Sequence, residues 1–314
     1  MKNSRCLLFG GGGFIGANLI PSLIKEGHQI TVYDRNLHKK HQIHGVNYIE
    51  GNFFEENNFI ELLNGQDVVL HLISGSLPAT SMNNIYSSYE NDVLKTLQMV
   101  ESSRSAGVKK IVFFSSGGTV YGNTSNSPVS EESQNYPINH YGISKLTIEK
   151  MLIMYNHLYG MDNIILRISN PYGLGQNIAK KVGAVSTFID KILSRDEIII
   201  FGKGDIIRDY IHVDDISAAV VMALQYQTKN GIEPIFNIGT GIGTGLLELV
   251  RKLEYNIGLE ANISFQEKRN IDVSYNVLDI SKAQREFGFH PKFSLDLGIK
   301  DIIESIKSCK GVGQ

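Results

Sequence analysis

A run of glycines, Gly10-Gly11-Gly12-Gly13-Phe14-Ile15-Gly16, follows the apolar segment Cys6-Leu7-Leu8-Phe9 and opens an amphipathic stretch from Phe14 to Glu26. That order predicts a strand, a tight turn and a helix. Such a turn lets backbone come close to a pyrophosphate, and the helix N-terminus behind it offers free N–H groups and the positive end of the dipole. Gly11, Gly13 and Gly16 meet the GxGxxG spacing, with Gly10 at the strand end. The motif gains weight from the next apolar run, Gln29-Ile30-Thr31-Val32-Tyr33, which ends on Asp34. An acid closing the second strand, about 20 residues beyond the glycines, holds the adenosine ribose hydroxyls in a dinucleotide fold. Asp34 would repel a 2′-phosphate, which favours NAD over NADP; Arg35 beside it acts in the opposite sense.

Strand and helix patterns alternate through the first half of the chain. Apolar or buried-type strands are expected at Val46–Ile49, Asp67–Leu72, Lys110–Phe114 and Ile164–Leu166. Helices are expected near Phe59–Leu63, over Ser87–Ala106 and over Tyr141–Tyr159. Strands joined by helical crossovers imply an α/β chain with a Rossmann-type, doubly wound parallel sheet. The second half is less regular. Asn170-Pro171-Tyr172-Gly173 interrupts the alternation. Helices are expected at Ala184–Leu193, Ile216–Tyr226, Leu246–Ile257 and Leu295–Lys307, and short strands at Ile198–Phe201, Ile235–Ile238 and Ile263–Phe265. This predicts a dinucleotide-binding domain over 1–170, to which the chain returns around 205–240, and a smaller mixed α/β substrate lobe over 171–314.

Composition narrows the function classes. The chain has 314 residues, 42 % of them hydrophobic, enough for a sizeable core. A net charge of −2 with both signs dispersed argues against a nucleic-acid surface. Two cysteines, Cys6 and Cys309, form no disulfide framework and fit a reducing compartment. The N-terminus runs straight into a strand, and no apolar run reaches the ~18 residues of a membrane span. A cytoplasmic protein without a membrane partner is expected. His38, His41 and His44 fall in a polar, Lys-rich loop, which reads as solvated loop and not as a metal site.

Tyr141-Gly142-Ile143-Ser144-Lys145 reads YxxxK. On a helix, positions i and i+4 share a face, so the Lys145 ammonium is expected near the Tyr141 phenol. A nearby cation favours phenolate and draws its pKa down from about 10. Such a tyrosine can exchange a proton with an alcohol or sugar hydroxyl. A helical YxxxK alone carries little, but this one follows a dinucleotide turn and a strand ending in Ser115-Ser116, both candidate site residues.

At this point the chain resembles, over essentially its whole length, an extended short-chain dehydrogenase/reductase of the sugar-nucleotide epimerase/dehydratase family, close to the UDP-galactose 4-epimerases. Further segments carry the resemblance. Gly51-Asn52-Phe53 stands where the family usually has Gly-Asp against adenine; Asn52 keeps an acceptor and loses the charge. His71-Leu72-Ile73-Ser74 is similar to the segment lining the nicotinamide side, and Asn91 to a helix Asn that braces the site. Arg208-Asp209-Tyr210-Ile211-His212-Val213-Asp214-Asp215 is the most distinctive motif of the second half. The resemblance implies that Arg208 and Asn170 contact a nucleotide diphosphate. It further implies that Phe201 packs the base and that Arg269 and Asp272 hold phosphate and ribose. Asn276 falls where a bulky family residue excludes N-acetyl groups, so its smaller side chain points toward an N-acetylhexosamine. The family also implies a homodimer, with the helices over Ser87–Ala106 and Tyr141–Tyr159 pairing across a two-fold axis. Val93, Leu97, Val100, Leu146, Met151 and Leu152 supply apolar surface for it.

One departure matters. The family usually has Ser or Thr three residues before the Val of its Val-Tyr-Gly signature, and Ser115-Ser116-Gly117-Gly118-Thr119-Val120-Tyr121-Gly122 puts Gly117 there. Ser116, Thr119 or a water must then supply the hydroxyl. Ser116 adjoins the vacant position and is favoured, which requires an irregular backbone at the strand end. The dehydratase branch needs an Asp-Glu pair before Val120, where this chain has Gly118-Thr119. The resemblance therefore implies an NAD-dependent epimerase acting at C4 of a nucleotide sugar, of UDP-glucose/UDP-galactose type. The alternatives are an NAD(P)H-dependent 4-keto-sugar reductase and a non-catalytic dinucleotide sensor, the latter having no need of Tyr141 and Lys145. The absence of a Gly-x-Ser-x-Gly elbow disfavours a hydrolase.

Overall fold

The computed structural model describes residues 3–37, 42–78, 80–124, 128–176, 183–269 and 273–311. Asp272, His38 and His41 lie outside the described residues.

Strand β1 (Arg5–Phe9) leads into helix α1 (Phe14–Lys25) and strands β2 (Gln29–Asp34) and β3 (Asn47–Glu50). The short α2 (Phe59–Leu63) precedes β4 (Val68–His71). Next come α3 (Ile85–Ser88), a π-helical segment over Tyr89–Leu94, and α4 (Lys95–Ser105). Strand β5 (Lys110–Ser116), helix α5 (His140–Tyr159) and strand β6 (Ile164–Ile168) complete the first half. The second half holds β7 (Asn170–Tyr172), α6 (Ala184–Ser194), β8 (Glu197–Phe201), β9 (Ile207–His212), α7 (Val213–Gln225) and β10 (Ile235–Ile238). It closes with β11 (Gly243–Gly245), α8 (Leu246–Ile257), β12 (Asn262–Gln266), β13 (Tyr275–Asn276), α9 (Ser281–Phe287) and α10 (Leu295–Gly311).

Seven strands form a parallel sheet in the order β10-β6-β5-β4-β1-β2-β3. The alternation of β1 explains its unbroken apolar sequence. Cys6 and Leu8 join a core on one face with Leu19, Ile216 and Val220 of α1 and α7. Leu7 and Phe9 join a core on the other with Met99 of α4 and Ile148 and Leu152 of α5. Both faces are covered, as a parallel sheet requires. The strand order reverses between β1 and β4, so a crevice opens at their carboxyl ends, where α/β sheets bind ligands.

A third core belongs to the later part of the chain. Val185 and Ile189 of α6, Ile198 and Ile200 of β8, Leu249 and Leu253 of α8 and Ile299 of α10 pack together. Two small sheets accompany it: β9 with β7, β11 and β13, and the parallel pair β8 and β12.

The structure departs from the sequence expectation in several places, among them the unexpected β11, β13 and α9. The single helix expected over Ser87–Ala106 is α3, a π turn and α4 in succession. Residues 170–172 and 207–212, to which no strand was assigned, pair with each other as β7 and β9. That pairing spans about forty residues of sequence, and local periodicity carries no signal for it.

Candidate active site

The glycine turn after β1 faces the segment after β4. Gly10 sits at φ +87°, and a Cβ there would come 2.9 Å from Ile73 Cγ1. A Cβ on Gly16 would come 2.5 Å from Gly11 Cα, so the helix start and the turn touch through backbone. Gly13 caps α1 without a side-chain hydrogen bond, and Ala17 N is the first donor to close onto the turn, reaching Gly13 O at 2.9 Å. The N–H groups of Phe14, Ile15 and Gly16 therefore remain for an anion. Asp34 accepts from Gly12 N at 3.0 Å and from Asn36 N at 3.1 Å. This holds its carboxylate at the turn, with further lone pairs for ribose hydroxyls. Arg35 is exposed beside it. The cradle fits a dinucleotide.

Other residues on this side are placed less directly. Asn52 spends its side chain on its own turn, donating to Glu55 at 2.8 Å and accepting from Phe54 N at 3.2 Å. The Phe53 ring is buried among Phe9, Phe59 and His71, leaving only its backbone for a ligand. Leu72 and Ile73 are half-buried against Gly10.

Helix α5 brings Tyr141 and Lys145 to the end of β5. The Asn139 side chain caps it, accepting from Gly142 N at 2.9 Å. Ser116, on the last position of β5, lies close enough to the Tyr141 phenol to favour its ionised form, so it is the hydroxyl found beside the tyrosine. Thr119 is buried, and its hydroxyl has no partner among the described residues. Ser115 points the other way and donates to Glu149, which Arg167 also binds through both Nε and Nη2, at 3.0 and 2.6 Å. Both ends of this ion pair are fully buried. The Lys145 ammonium donates to Phe114 O at 3.0 Å and lies 5.7 Å from the centre of the Tyr141 ring.

The electrostatics correct one expectation. Burial, reinforced by the charge of Asp92, pushes the Tyr141 phenol up to about 12, against the nearby Ser116 hydroxyl. Burial pushes the Lys145 ammonium down to about 8, with Asp92 and Glu149 opposing. The chain alone therefore holds Tyr141 as phenol, because desolvation and the Asp92 charge outweigh the Ser116 hydroxyl. Asn91 packs against Gly75, whose Cβ would stand 3.1 Å from Asn91 Cβ. Its neighbour Asp92 is the buried residue that both Tyr141 and Lys145 feel. Sequence reasoning passed over Asp92 and Glu149. Glu149 could have been found as the i+4 partner of Lys145 on α5.

The substrate side is assembled by the small sheets. Arg208 on β9 lies half-buried and donates to Ile207 O at 2.9 Å. Asn170 on β7 donates to Asp209 O at 3.0 Å. The Arg269 guanidinium stacks 4.1 Å over the Phe201 ring, joining two residues 68 positions apart. Asn276 is fully enclosed, and its amide donates to Gly117 O at 2.8 Å. Its side chain thus braces the strand end.

The model of the NAD-dependent epimerase/dehydratase family matches residues 6–239. The chain belongs to this family. A putative UDP-glucose 4-epimerase from Methanocaldococcus jannaschii is 33 % identical over 309 residues, 96 % of this chain and 98 % of the relative. A dTDP-4-dehydro-6-deoxyglucose reductase from Escherichia coli is 34 % identical, covering 98 % of this chain and 99 % of the relative. Among solved structures, the UDP-glucose 4-epimerase of Thermotoga maritima with UDP-glucose aligns with a TM-score of 0.91 at 31 % identity. That alignment covers 98 % of this chain and 99 % of the other. For this epimerase/dehydratase family member, NAD is the cofactor, and the turn, Asp34 and the α1 terminus would hold it. No helix among the described residues is long and apolar enough to cross a membrane.

Proposed function

We propose that the protein is an NAD-dependent nucleotide-sugar 4-epimerase acting on a UDP-hexose or a related UDP-sugar. The observation that carries this reading is the pairing of Tyr141 with Lys145 at the carboxyl end of β5, the ammonium 5.7 Å from the ring centre and held by Phe114 O. The UDP-glucose 4-epimerases among the similar proteins support it.

In this mechanism Tyr141 takes the proton of the C4 hydroxyl while C4 gives up its hydride, which leaves a 4-keto sugar. NAD held by the glycine turn and Asp34 would supply the hydride acceptor and later donor, and its positive charge would favour phenolate. Ser116 holds the reacting oxygen against Tyr141. Lys145, fixed by Phe114 O, keeps a cation beside the phenol. Arg208, Asn170, Phe201, Arg269 and Asp272 grip the nucleotide end, so the keto sugar turns over without leaving. Hydride then returns to the opposite face and Tyr141 gives back its proton. Residues 1–170 act as the dinucleotide domain and 171–314 mainly as the substrate lobe.

A second reading, an NADH-consuming 4-keto-sugar reductase, is favoured by the Escherichia coli relative. Incubation of the pure protein with a panel of nucleotide sugars, without added cofactor, separates the two by NMR. Interconversion of C4 epimers is the expected result. Conversion only of a 4-keto sugar with stoichiometric NADH loss would replace the epimerase reading.

We further propose a cytoplasmic homodimer. Leu94, Leu97, Ile143, Met154 and Leu158 lie exposed on the π segment and on the adjoining helices α4 and α5. An apolar strip of this kind marks an interaction surface. Val100 and Leu152, in contrast, face the sheet and are fully buried.

A further inference from the structure

Strand β3 ends beside Asp34. Glu50 pairs in register with that residue, and Gly51 N donates to Asp34 O at 3.1 Å. The chain then turns tightly. Asn52 O accepts from the N–H groups of Glu55 and Glu56, both at 3.0 Å. The Asn52 side chain closes the same turn, accepting from Phe54 N at 3.2 Å and donating to Glu55 at 2.8 Å. Half of what an Asn side chain can bond is therefore spent inside the turn. What this turn offers a ligand depends on its shape more than on the Asn52 side chain.

Two residues from other elements hold that shape. Tyr33, next to Asp34 on β2, donates its hydroxyl to Glu56 Oε2 at 2.8 Å, while Glu56 Oε1 accepts from Asn58 N at 2.7 Å. Gly51 lies directly on Tyr33, since a Cβ there would overlap the hydroxyl and the ring. Lys95, the first residue of α4, is half-buried. Its Nζ donates to Glu56 O at 2.9 Å and to Asn57 Oδ1 at 3.2 Å. Both acceptors are neutral oxygens of the segment that closes the turn. A lysine used in this way fixes backbone, where a surface ion pair would only balance charge.

We propose that Lys95 and Tyr33 are positioning residues for the cofactor, holding the turn over 51–56 against the adenine end of bound NAD. With the ribose at Asp34, the base it carries lies along the carboxyl ends of the neighbouring strands, where this turn stands. The proposal needs NAD as cofactor and does not depend on the 4-epimerase reading.

The test is calorimetric titration of the cofactor-stripped protein with NAD, AMP and UDP. AMP probes the adenosine end alone, and UDP probes the substrate lobe. Lys95→Met keeps the apolar stem and removes the ammonium. It should weaken NAD and AMP alike by about fivefold, the scale of one hydrogen bond, and leave UDP unchanged. Tyr33→Phe, which alters no charge, should give the same pattern. Unchanged NAD and AMP affinities overturn the proposal. So does a loss for NAD without one for AMP, which would place the effect away from adenine. Equal losses for all three ligands would mark general loosening and overturn it too, and a loss confined to Lys95→Met would reduce the lysine to simple attraction of an anion. Should one variant fail to fold, the other decides. A protein that binds no UDP would sink the nucleotide-sugar reading and leave the NAD and AMP titrations to decide this one.

Discussion

The amide of Asn276 donates to the backbone carbonyl of Gly117 at 2.8 Å, tying β13 to the turn after β5. Gly117 is thereby pinned from one side, and its Cβ position is filled from another. A Cβ there would lie 2.6 Å from Leu278 Cδ1 and 3.2 Å from Arg167 O. The side chain absent at this position would not enter the active site. Gly117→Ser, which restores the family pattern, should therefore overpack the core and cost about 1–3 kcal/mol. A lowered thermal midpoint without a gain in turnover is the expected outcome. At Gly118 a Cβ would meet only Ser116 Oγ, at 3.8 Å, so Gly118→Ala should leave the midpoint within experimental scatter.

Ser116 and Thr119 can be separated by truncation. Ser116→Ala should reduce turnover about 10²-fold, in the range of a positioned acid–base contact, because it removes the hydroxyl beside Tyr141. Thr119→Ala removes a buried hydroxyl with no described partner and should change turnover less than about threefold, well under the 1.4 kcal/mol that tenfold represents. Steady-state kinetics giving the reverse order would reassign the contact. Tyr141→Phe should lose most turnover and still bind NAD.

Lys145 leaves a mark on stability that is read with the cofactor stripped. Its folded pKa, about 8, lies below the ordinary lysine value of 10.5. Between those values the unfolded chain keeps a proton that the native chain has released. The Lys145 contribution to stability therefore rises with pH across about 8 to 10.5 and is flat below. Thermal midpoints of the native protein minus those of Lys145→Met, taken from pH 7 to 10, should climb over that window. A falling difference would contradict the burial of the ammonium.

Asp34 should control cofactor choice. Its carboxylate is held by Gly12 N and Asn36 N, where a 2′-phosphate would meet it. Calorimetry should find NAD bound more tightly than NADP by at least about tenfold, or 1.4 kcal/mol. Asp34→Asn should narrow the gap, chiefly by improving NADP.

The exposed strip along α4 and α5 should hold two copies together. Light scattering at micromolar concentration should give twice the chain mass, and Leu97→Glu should halve it by placing a charge within the interface. A monomer in the native protein would leave the strip without this role.

The sequence by itself determined the features whose signals are local. The strand–turn–helix at Gly10–Gly16, the acid at Asp34 and the shared helix face of Tyr141 and Lys145 follow from periods of two and 3.6 residues and from glycine's freedom. The alternation of elements was enough for a parallel sheet covered on both faces. Tertiary structure decided the rest. Ser116 meets Tyr141 while Ser115 turns to the buried Glu149–Arg167 pair, because neighbours on a strand face opposite ways and the sheet fixes which way is inward. Asp92 rather than Asn91 takes the donors of the Ser74–Ser76 loop, since a π turn shifts the helical phase that a 3.6-residue reading assumes. Gly117 backs onto Leu278, and Asn276 is enclosed as a brace, through contacts that span more than a hundred residues of chain. Arg269 finds Phe201 in the same way. Such contacts depend on which elements pack together, and no local spacing in the sequence carries that information.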